Sequence, residues 1–261
     1  MIKDSILRIA SSNIRFANPA DGMNDWHNRR SLWQSLIEGF SPAILGTQEG
    51  RKPQLDEVTE LLPKLVRATD HREWIDERMY PCLFIDPKLF SLNSSGDAWL
   101  SETPEIAGSK DFESAFPRLC TWANLTHLDS NKKLFVVNTH LDHVKDETRS
   151  QQIDVLIDTI EKENTEHSPI ILMGDFNEDA FGNVRKKINT RLESLLDSWQ
   201  SFSHAEESSH HKFCGHNENG ARIDWILTDK SLEPVSIMLD KSHQEEVWPS
   251  DHFIVKAEFK L

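Results

Sequence analysis

Cysteine is scarce in this chain, and its three cysteines form neither a pairing pattern nor a metal-binding pattern. Cys82, Cys120 and Cys214 are far apart and odd in number, and none has the short spacing to another that is typical of zinc sites. A disulfide framework is therefore excluded as the basis of the fold. We expect all three to be buried free thiols in a reducing cytoplasm.

Long apolar runs are also missing. No stretch approaches the roughly 20 apolar residues that span a bilayer. The N-terminal segment MIKDSILRIA lacks the extended apolar core and small-residue cleavage site of a signal peptide. We find no internal repeat, low-complexity tract or linker. These absences predict one domain over residues 1–261, located in the cytoplasm, with no membrane association and no obligate protein partner.

Positive charge is under-represented and dispersed. The chain has 29 Lys and Arg against 43 Asp and Glu, a formal net charge of -14, and its second half has no basic cluster longer than RKK at residues 185–187. Such a chain repels polyanions at long range, which disfavours tight sequence-independent binding of nucleic acid unless the site is locally basic or bridged by metal. A small phosphate ester is therefore favoured over nucleic acid as the substrate.

What the chain does contain is strands that end in polar side chains. The segment PIILMGDFN, residues 169–177, begins with four large apolar residues, a length typical of a strand buried on both faces. Gly174 ends this run, and extended geometry then places Asp175 and Asn177 on one side. Catalytic groups commonly lie at such strand mouths. Taken alone, these residues are equally typical of a turn.

The remaining periodicities predict helices interleaved with many strands. We expect strands at residues 6–14 and 43–45, then at MYPCLFID, LFSLN, DAWLS, RLCTWANLTHL and KLFVVNTHL, and finally at ARIDWILTD, PVSIML and HFIVKAEF. Helices are predicted to stop near Gly39, to begin at Pro53, to include residues 153–160, and to run through Val184 to Leu195. This alternation indicates an α/β protein with two sheets packed face to face and helices outside.

Polar residues recur at the ends of other predicted strands. They are Asn13, Glu49, His140, Asp224, Asp251 and His252. Each alone is typical of a loop, a turn or a strand end, although a lone carboxylate inside ARIDWIL would be costly without a partner. With Asp175 and Asn177 the set holds carboxylates, amides and imidazoles without thiolates, which suits Mg²⁺ or Mn²⁺ rather than Zn²⁺. The recurrence predicts one metal-dependent site.

In their order along the chain, these motifs resemble a known superfamily. SSNIRF, TQE, NTHLDH, GDFN, RIDWIL and PSDHF are similar to motifs of the endonuclease/exonuclease/phosphatase superfamily, which has the DNase I-like fold. The segments ADGMNDWHNRR, WLSETPEIAGSK and FPRLCTW resemble a bacterial branch of mostly uncharacterised members. The resemblance implies a four-layered sandwich of two mixed sheets that hydrolyses phosphate esters with Mg²⁺, or with Mn²⁺ as a substitute.

The resemblance also implies roles for the residues around the metal ion. Glu49 would be the main metal ligand, with Asn13 and Asp251 beside it. Asp175 would activate or orient the attacking water, and Asn177 would contact the scissile phosphate.

Further implied roles concern the phosphate and the leaving group. His252, oriented by Asp224, would bind and neutralise the phosphate, and His140 would help the leaving group or phosphate from the other side. Arg118 would contact the phosphate, and Glu77 would support His140. The bacterial branch often has Gly-Glu-Phe or Gly-Glu-Tyr where this chain has DERM at residues 76–79, so the match at Glu77 departs from the pattern.

The superfamily includes nucleases, inositol phosphatases and sphingomyelinases, so the fold does not identify the substrate. The expected activity is that of a phosphodiesterase or phosphatase, with a DNA or RNA nuclease as the alternative. A non-catalytic phosphate-binding module is least favoured, because no strand-end carboxylate and no final His is missing. His210, His211 and His216 are predicted to lie in a solvated loop; the alternative is that they shape substrate selectivity.

Overall fold

Two six-stranded mixed β-sheets face each other in the computed structural model, which describes residues 6–261. The first sheet has the spatial order β11-β12-β1-β2-β4-β3, made of β1 (Ile6–Asn13), β2 (Ile44–Arg51), β3 (Val66–Arg67), β4 (Met79–Ile85), β11 (Glu233–Asp240) and β12 (Ile254–Lys260). The second has the order β5-β6-β7-β8-β10-β9, made of β5 (Phe90–Trp99), β6 (Leu119–His127), β7 (Lys133–His140), β8 (Ile170–Asp175), β9 (Leu195–Asp197) and β10 (Asp224–Asp229). The first five residues of the predicted domain and of the N-terminal segment lie outside the described part.

Four helices cover the outer faces of the sheets. They are α1 (Trp26–Phe40), α2 (Lys52–Leu61), α3 (Asp146–Glu163) and α4 (Asn183–Arg191). Apolar side chains of α1 and α2, such as Trp33 and Leu55, pack on the first sheet, and those of α3 and α4, such as Leu156 and Ile188, pack on the second. A third apolar layer, which includes Ile171, fills the space between the sheets. The predicted four-layered α/β sandwich is confirmed.

Within residues 6–261, no helix has both the length and the apolar character that a membrane crossing requires.

One parallel strand pair in each sheet determines where loops can meet. β1 pairs in parallel with β2 after the crossover through α1, and β7 pairs in parallel with β8 after the crossover through α3. Strands β4, β6, β10 and β12 run antiparallel to these four strands, so they begin where the four end. Ligands bind at the carboxyl ends of parallel strands in open α/β sheets, and the polar residues of this chain lie at that end.

Several predicted boundaries were wrong. LFSLN and DAWLS form one strand, β5, because a register shift between Leu92 and Ser94 absorbs the polar interruption. Helix α4 ends at Arg191, and Leu195 begins β9. Helix α1 ends at Phe40, near Gly39 as predicted, and the residue after it, Ser41, has the left-handed backbone (φ 54°) typical of a helix terminus.

The thiols were predicted to be uniformly buried. Cys82 and Cys120 are buried, whereas Cys214 is exposed because it lies in a loop outside both sheets.

The strand predicted at residues 43–45 extends to Arg51, because pairing with β4 resumes after a bulge.

Candidate active site

The strand ends of both sheets line one cleft with a volume of about 360 Å³. Of the residues predicted from the sequence, the cleft wall contains Glu49, Glu77, Arg118, His140, Asp175, Asn177, Asp251 and His252. Asn13 and Asp224 lie directly behind that wall and bond to its carboxylates and imidazole. The structure thus brings the predicted strand-end residues together at one end of the sandwich.

Asn13, at the end of β1, links the two sheets. Its Nδ2 donates to Glu49 Oε1 at 3.2 Å in the first sheet and to Asp175 Oδ2 at 3.0 Å in the second. Its backbone carbonyl accepts a hydrogen bond of 2.6 Å from the hydroxyl of Ser250, next to Asp251. The side-chain amide of Asn13 therefore joins the carboxylates of Glu49 and Asp175, and its backbone holds the residue before Asp251.

A β-bulge directs Glu49 into the cleft. The register between β2 and β4 shifts between Thr47 and Gly50, and Glu49 within the bulge has a left-handed backbone (φ 68°). Its Oε2 accepts a hydrogen bond of 3.2 Å from the backbone N–H of Phe16. Such strained positions are found at functional sites when the surrounding structure holds them.

Gly174 allows β7 and β8 to approach closely where the side chains of His140 and Asp175 emerge. A Cβ atom at this position, where φ is +142°, would lie 2.1 Å from the carbonyl oxygen of Thr139. The two residues that follow, His140 and Asp175, are paired in register, and His140 Nε2 lies 3.4 Å from Asp175 Oδ2. Asn177 has a left-handed backbone (φ 51°), and its backbone N–H donates to Asp175 Oδ1 at 2.9 Å.

Asp224 orients the imidazole of His252. Nδ1 of His252 donates to Asp224 Oδ2 at 2.8 Å, and the same oxygen accepts a 2.6 Å hydrogen bond from Ser209 Oγ. The Nε2 atom of His252 is left facing the cleft, 3.8 Å from Asp175 Oδ2. A carboxylate that holds one ring nitrogen fixes both the tautomer and the direction of the other.

The buried groups have divergent pKa values. Burial and the nearby charge of Asp224 raise the pKa of Asp175 to about 6. Burial alone would also raise the pKa of Asp251, but a hydrogen bond from His210 and the charge of His252 hold it well below its usual range.

The imidazoles of His252 and His140 also have pKa values shifted in opposite directions. Burial alone would lower the pKa of His252, but the carboxylates of Asp224, Asp175 and Asp251 raise it well above its usual range. Burial and the charge of Arg118 lower the pKa of His140 well below the usual value. At neutral pH the cleft therefore presents one charged and one neutral imidazole on either side of Asp175.

Arg118 supplies a buried positive charge at the start of β6. Its residue surface is 6% exposed, its Nε is buried without a hydrogen-bond partner, and within residues 6–261 its guanidinium forms no ion pair. Burial lowers its pKa, while Glu49, Asp175 and Asp142 raise it. An unpaired buried cation that lines a cleft is suited to an anionic ligand.

The prediction that Glu77 supports His140 is wrong in this structure. The Glu77 carboxylate forms an ion pair with Arg51 Nη1, 3.1 Å away, at the cleft mouth. The side chain of Glu77 is 81% exposed. The backbone of Glu77 is left-handed (φ 61°) in the loop before β4, and no hydrogen bond or ion pair joins it to His140 in the described part of the chain.

The expected solvated loop of histidines also differs. The ring of His210 stacks on His252 with centroids 4.5 Å apart and an interplanar angle of 24°, and its Nε2 lies 3.8 Å from Asp251 Oδ2. His211 is buried against Phe253, and only His216 is exposed as predicted. The cause is a backbone bridge between His210 and His252, which ties this loop to the cleft.

Sequence reasoning missed several residues of the cleft wall, namely Arg15, Phe16, Arg51, Arg78, Met79, Phe116, Pro117 and His143. Some immediately precede antiparallel strands, as Arg78 precedes β4, and a search of strand beginnings as well as strand ends would have found those. Others, such as Phe16, follow a strand end by a few residues and have no distinguishing pattern.

The donor set of the cleft fits a hard divalent cation. Glu49 and Asp251 line the same cavity, both lie within electrostatic reach of Arg15, and Asn13 contributes an amide behind Glu49. The oxygen ligands available there are carboxylates and an amide, as Mg²⁺ and Mn²⁺ prefer, and the imidazoles of His210 and His252 lie close to Asp251. Burial first and the charge of Asp224 second raise the pKa of Asp175, and a nearby cation would favour its ionised form.

The four-layered sandwich and its strand-end cleft define a protein of the DNase I-like class. The chain belongs to the Endonuclease/Exonuclease/phosphatase family, whose sequence model matches residues 10–252. Members of this superfamily include phosphatases, phosphodiesterases and nucleases.

Relatives of known structure share nearly the whole fold. An endonuclease/exonuclease/phosphatase of Bacteroides vulgatus is 26% identical, with a TM-score of 0.89 over 98% of this chain and 99% of the other. A mannosyl-6-phosphatase of Bacteroides thetaiotaomicron is also 26% identical, with a TM-score of 0.85 over 98% of this chain and all of the other. An uncharacterized protein of Acanthamoeba polyphaga mimivirus is 30% identical over 59% of this chain, and the match spans 60% of that viral protein.

Proposed function

We propose that this protein is a divalent-metal-dependent hydrolase of phosphate esters, with a small phosphorylated molecule as its substrate. The observation that carries the proposal is the cleft itself. Carboxylates for a cation, a carboxylate for water and unpaired Arg118 for a phosphate line one cavity. These are the components that phosphoryl-transfer chemistry requires.

The dimensions and charge of the protein support a small substrate. A cavity of about 360 Å³ suits a ligand of sugar-phosphate size, and a net charge of -14 disfavours a long polyanion. The similarity to a mannosyl-6-phosphatase adds support for a sugar phosphate. A phosphomonoester or small phosphodiester is therefore the proposed class, with nucleic acid as the competing one.

Asp175 is the proposed base for water. Its Oδ2 faces the cleft between the two imidazoles, and its other oxygen is held by the Asn177 N–H. A pKa of about 6 leaves this carboxylate ionised at neutral pH yet basic enough to accept a proton from water as that water attacks phosphorus. As the new P–O bond forms, the proton of the water passes to Asp175, and the P–O bond to the ester oxygen breaks on the opposite side, with the leaving alkoxide taking a proton from solvent.

Cationic groups hold the phosphate during attack. His252, charged because of Asp224, donates from Nε2, and Arg118 donates from the opposite sheet. His140 has a lowered pKa, so it is uncharged at neutral pH and acts as a neutral hydrogen-bond partner rather than as a cation. These donors are positioned before the substrate arrives, which is how preorganised sites stabilise developing charge.

A divalent cation would be held by Glu49 and Asp251 with Asn13 beside them. When bound, it supplies electrostatic stabilisation of phosphoryl and leaving oxygens.

The test is a panel of phosphate esters assayed with Mg²⁺ or Mn²⁺ and after exhaustive EDTA treatment. It comprises sugar phosphates, nucleotides, phospholipid head groups, and single- and double-stranded DNA and RNA. We expect release of phosphate from a small ester, loss of activity with EDTA and recovery with Mg²⁺. Full activity after EDTA treatment would exclude the metal role, and cleavage of nucleic acid alone would exclude the small-substrate proposal. Glu49→Gln should weaken the stabilisation by Mg²⁺ seen in thermal unfolding, whereas Glu233→Gln, a matched change at an exposed site, should not.

A further inference from the structure

Two arginines have neither a side-chain hydrogen bond nor an ion pair within residues 6–261, and both line the same cleft. They are Arg78 and Arg118, and the Nε atom of each is buried without a partner. Every other arginine of the chain donates to a carboxylate or a backbone carbonyl, except Arg51, which forms an ion pair with Glu77. In a protein with a net charge of -14, two unpaired guanidiniums in one cavity indicate two positions for ligand anions.

The two guanidiniums enter the cleft from different sheets. Arg118 precedes β6 in the second sheet and is nearly buried, whereas Arg78 precedes β4 in the first sheet and is half-buried. The Arg51–Glu77 ion pair lies next to Arg78 in sequence and in the cavity wall, with side chains 37% and 81% exposed. Arg78 therefore lies at the mouth of the cleft, and Arg118 lies deeper inside it.

The ring of Phe16 contacts both Arg15 and Arg51 in the wall of the cleft. The guanidinium carbon of Arg15 lies 4.4 Å from the Phe16 ring centroid, and that of Arg51 lies 4.9 Å from it. Arg15 reaches Asp251, at 3.9 Å, whereas Arg51 reaches Glu77. One aromatic ring thus lies between the metal-binding region and the mouth, where it offers an apolar surface to the carbon skeleton of a ligand.

The loop that presents Arg78 is anchored. The Tyr80 hydroxyl accepts a 2.7 Å hydrogen bond from the Ile75 N–H, and the Arg78 N–H donates to the Ile75 carbonyl at 3.3 Å. Tyr80 is itself buried against Trp74 and Trp99. Because the loop is held before a ligand arrives, little ordering is required to bring Arg78 to an anion.

We propose that Arg78, assisted by Arg51, forms a second anion subsite at the cleft mouth, so that the preferred substrate is a small phosphate ester with a second anionic group. Glu77 neutralises Arg51 in the free protein, which leaves the charge of Arg78 for the ligand. The inference rests on the proposed function for the identity of the scissile group. The second group is a phosphate or carboxylate, since guanidinium recognises both.

The experiment compares two substrates that share one phosphate. Fructose 1,6-bisphosphate and fructose 6-phosphate are assayed with Mg²⁺ for the wild type, Arg78→Ala, Glu77→Gln, and the control Arg8→Ala, an exposed arginine on the first sheet. We expect kcat/KM for the bisphosphate to exceed that for the monophosphate by about tenfold or more. Arg78→Ala should bring this ratio towards one, Glu77→Gln should raise it by freeing Arg51, and Arg8→Ala should leave it unchanged.

Other outcomes overturn the proposal. An equal loss on both substrates in Arg78→Ala would place Arg78 on the scissile phosphate. A loss confined to cleavage of a single-stranded oligonucleotide would assign it to a nucleic-acid flank. If neither sugar phosphate is hydrolysed, calorimetric binding of the two sugar phosphates to the wild type and Arg78→Ala tests the subsite separately from the proposed function, which the wider panel of esters tests. Equal affinity of the wild type for both ligands would refute it.

Discussion

The imidazole of His252 and the carboxylate of Asp224 form a buried hydrogen-bonded pair, 2.8 Å from Nδ1 to Oδ2, at facing strand ends of different sheets. Asp224 begins β10 in the second sheet, and His252 precedes β12 in the first. The charge on His252 therefore depends on the packing of the two sheets, which brings Asp224 within hydrogen-bonding distance of the imidazole.

Removal of the charge on Asp224 should lower turnover without unfolding the protein. Asp224→Asn deprives His252 of the partner that raises its pKa, so the imidazole loses charge and orientation. A fall in kcat of about 10²-fold is expected, similar to that of His252→Ala. Asp229→Asn, a matched change at the other end of β10, is the control and should retain full turnover. Wild-type kcat in Asp224→Asn would contradict the role of His252.

Asp175 should make the metal-free protein less stable as the pH rises through about 6. Its pKa is raised from 3.8 to about 6, so the folded state holds this proton more tightly than the unfolded state. The stabilisation is complete below about pH 4 and is lost as the pH reaches the folded pKa; the two pKa values differ by an amount equivalent to about 3 kcal/mol. Urea unfolding of the wild type and Asp175→Asn at pH 4 and 7.5 measures this. Parallel pH dependences would show that Asp175 does not titrate in this way.

Gly174→Ala should separate the strands that carry His140 and Asp175. The new Cβ would lie 2.1 Å from the Thr139 carbonyl oxygen, at a backbone φ of +142° that an L-residue rarely adopts. We expect a loss of about 1–3 kcal/mol or more in the free energy of unfolding, with a large loss of turnover. Gly39→Ala is the control, because its Cβ would meet nothing within 4 Å, and it should stabilise α1 by about 0.5–1 kcal/mol. Equal stability of the two variants would refute the close approach.

Ile171→Ala should destabilise the fold while leaving the chemistry intact. Ile171 is fully buried in the apolar layer between the sheets, so its truncation should lower the free energy of unfolding by about 2–5 kcal/mol. Specific activity of the folded fraction, measured below the unfolding transition, should change little. A loss of turnover greater than that of Asp224→Asn would mean that this layer positions the site directly.

The sequence predicted the strand ends of the site but not its mouth. Apolar runs such as residues 170–173 have a recognisable length and end in polar side chains, so Asp175 and Glu49 could be placed at strand ends from the sequence alone. The angle at which Glu49 enters the cleft depends on a bulge whose register is set by β4, and no local pattern encodes that pairing. The same limit applies to β5, where a register shift joined two predicted strands.

Residues that lie in loops were the least predictable. His210 reaches the cleft only because its backbone pairs with His252, a contact between distant segments. Glu77 was assigned by resemblance alone, and Arg51 rather than His140 is its partner. Side chains whose positions depend on tertiary contacts carry no periodic signal, whereas those at the ends of buried strands do.

The pairing of β1 with β12 has a consequence for how the chain is made. The register joins Ile6 to Lys260 and Ser11 to Val255, so the first sheet closes only around a strand that is synthesised late. While a ribosome is still translating this region, the nascent chain already contains Glu49 and Asp175 but has not yet presented His252. Strand pairing between such distant segments is slow to form. A partly made chain therefore lacks a complete cleft, and the side chains that line the cleft come together only when the sandwich closes.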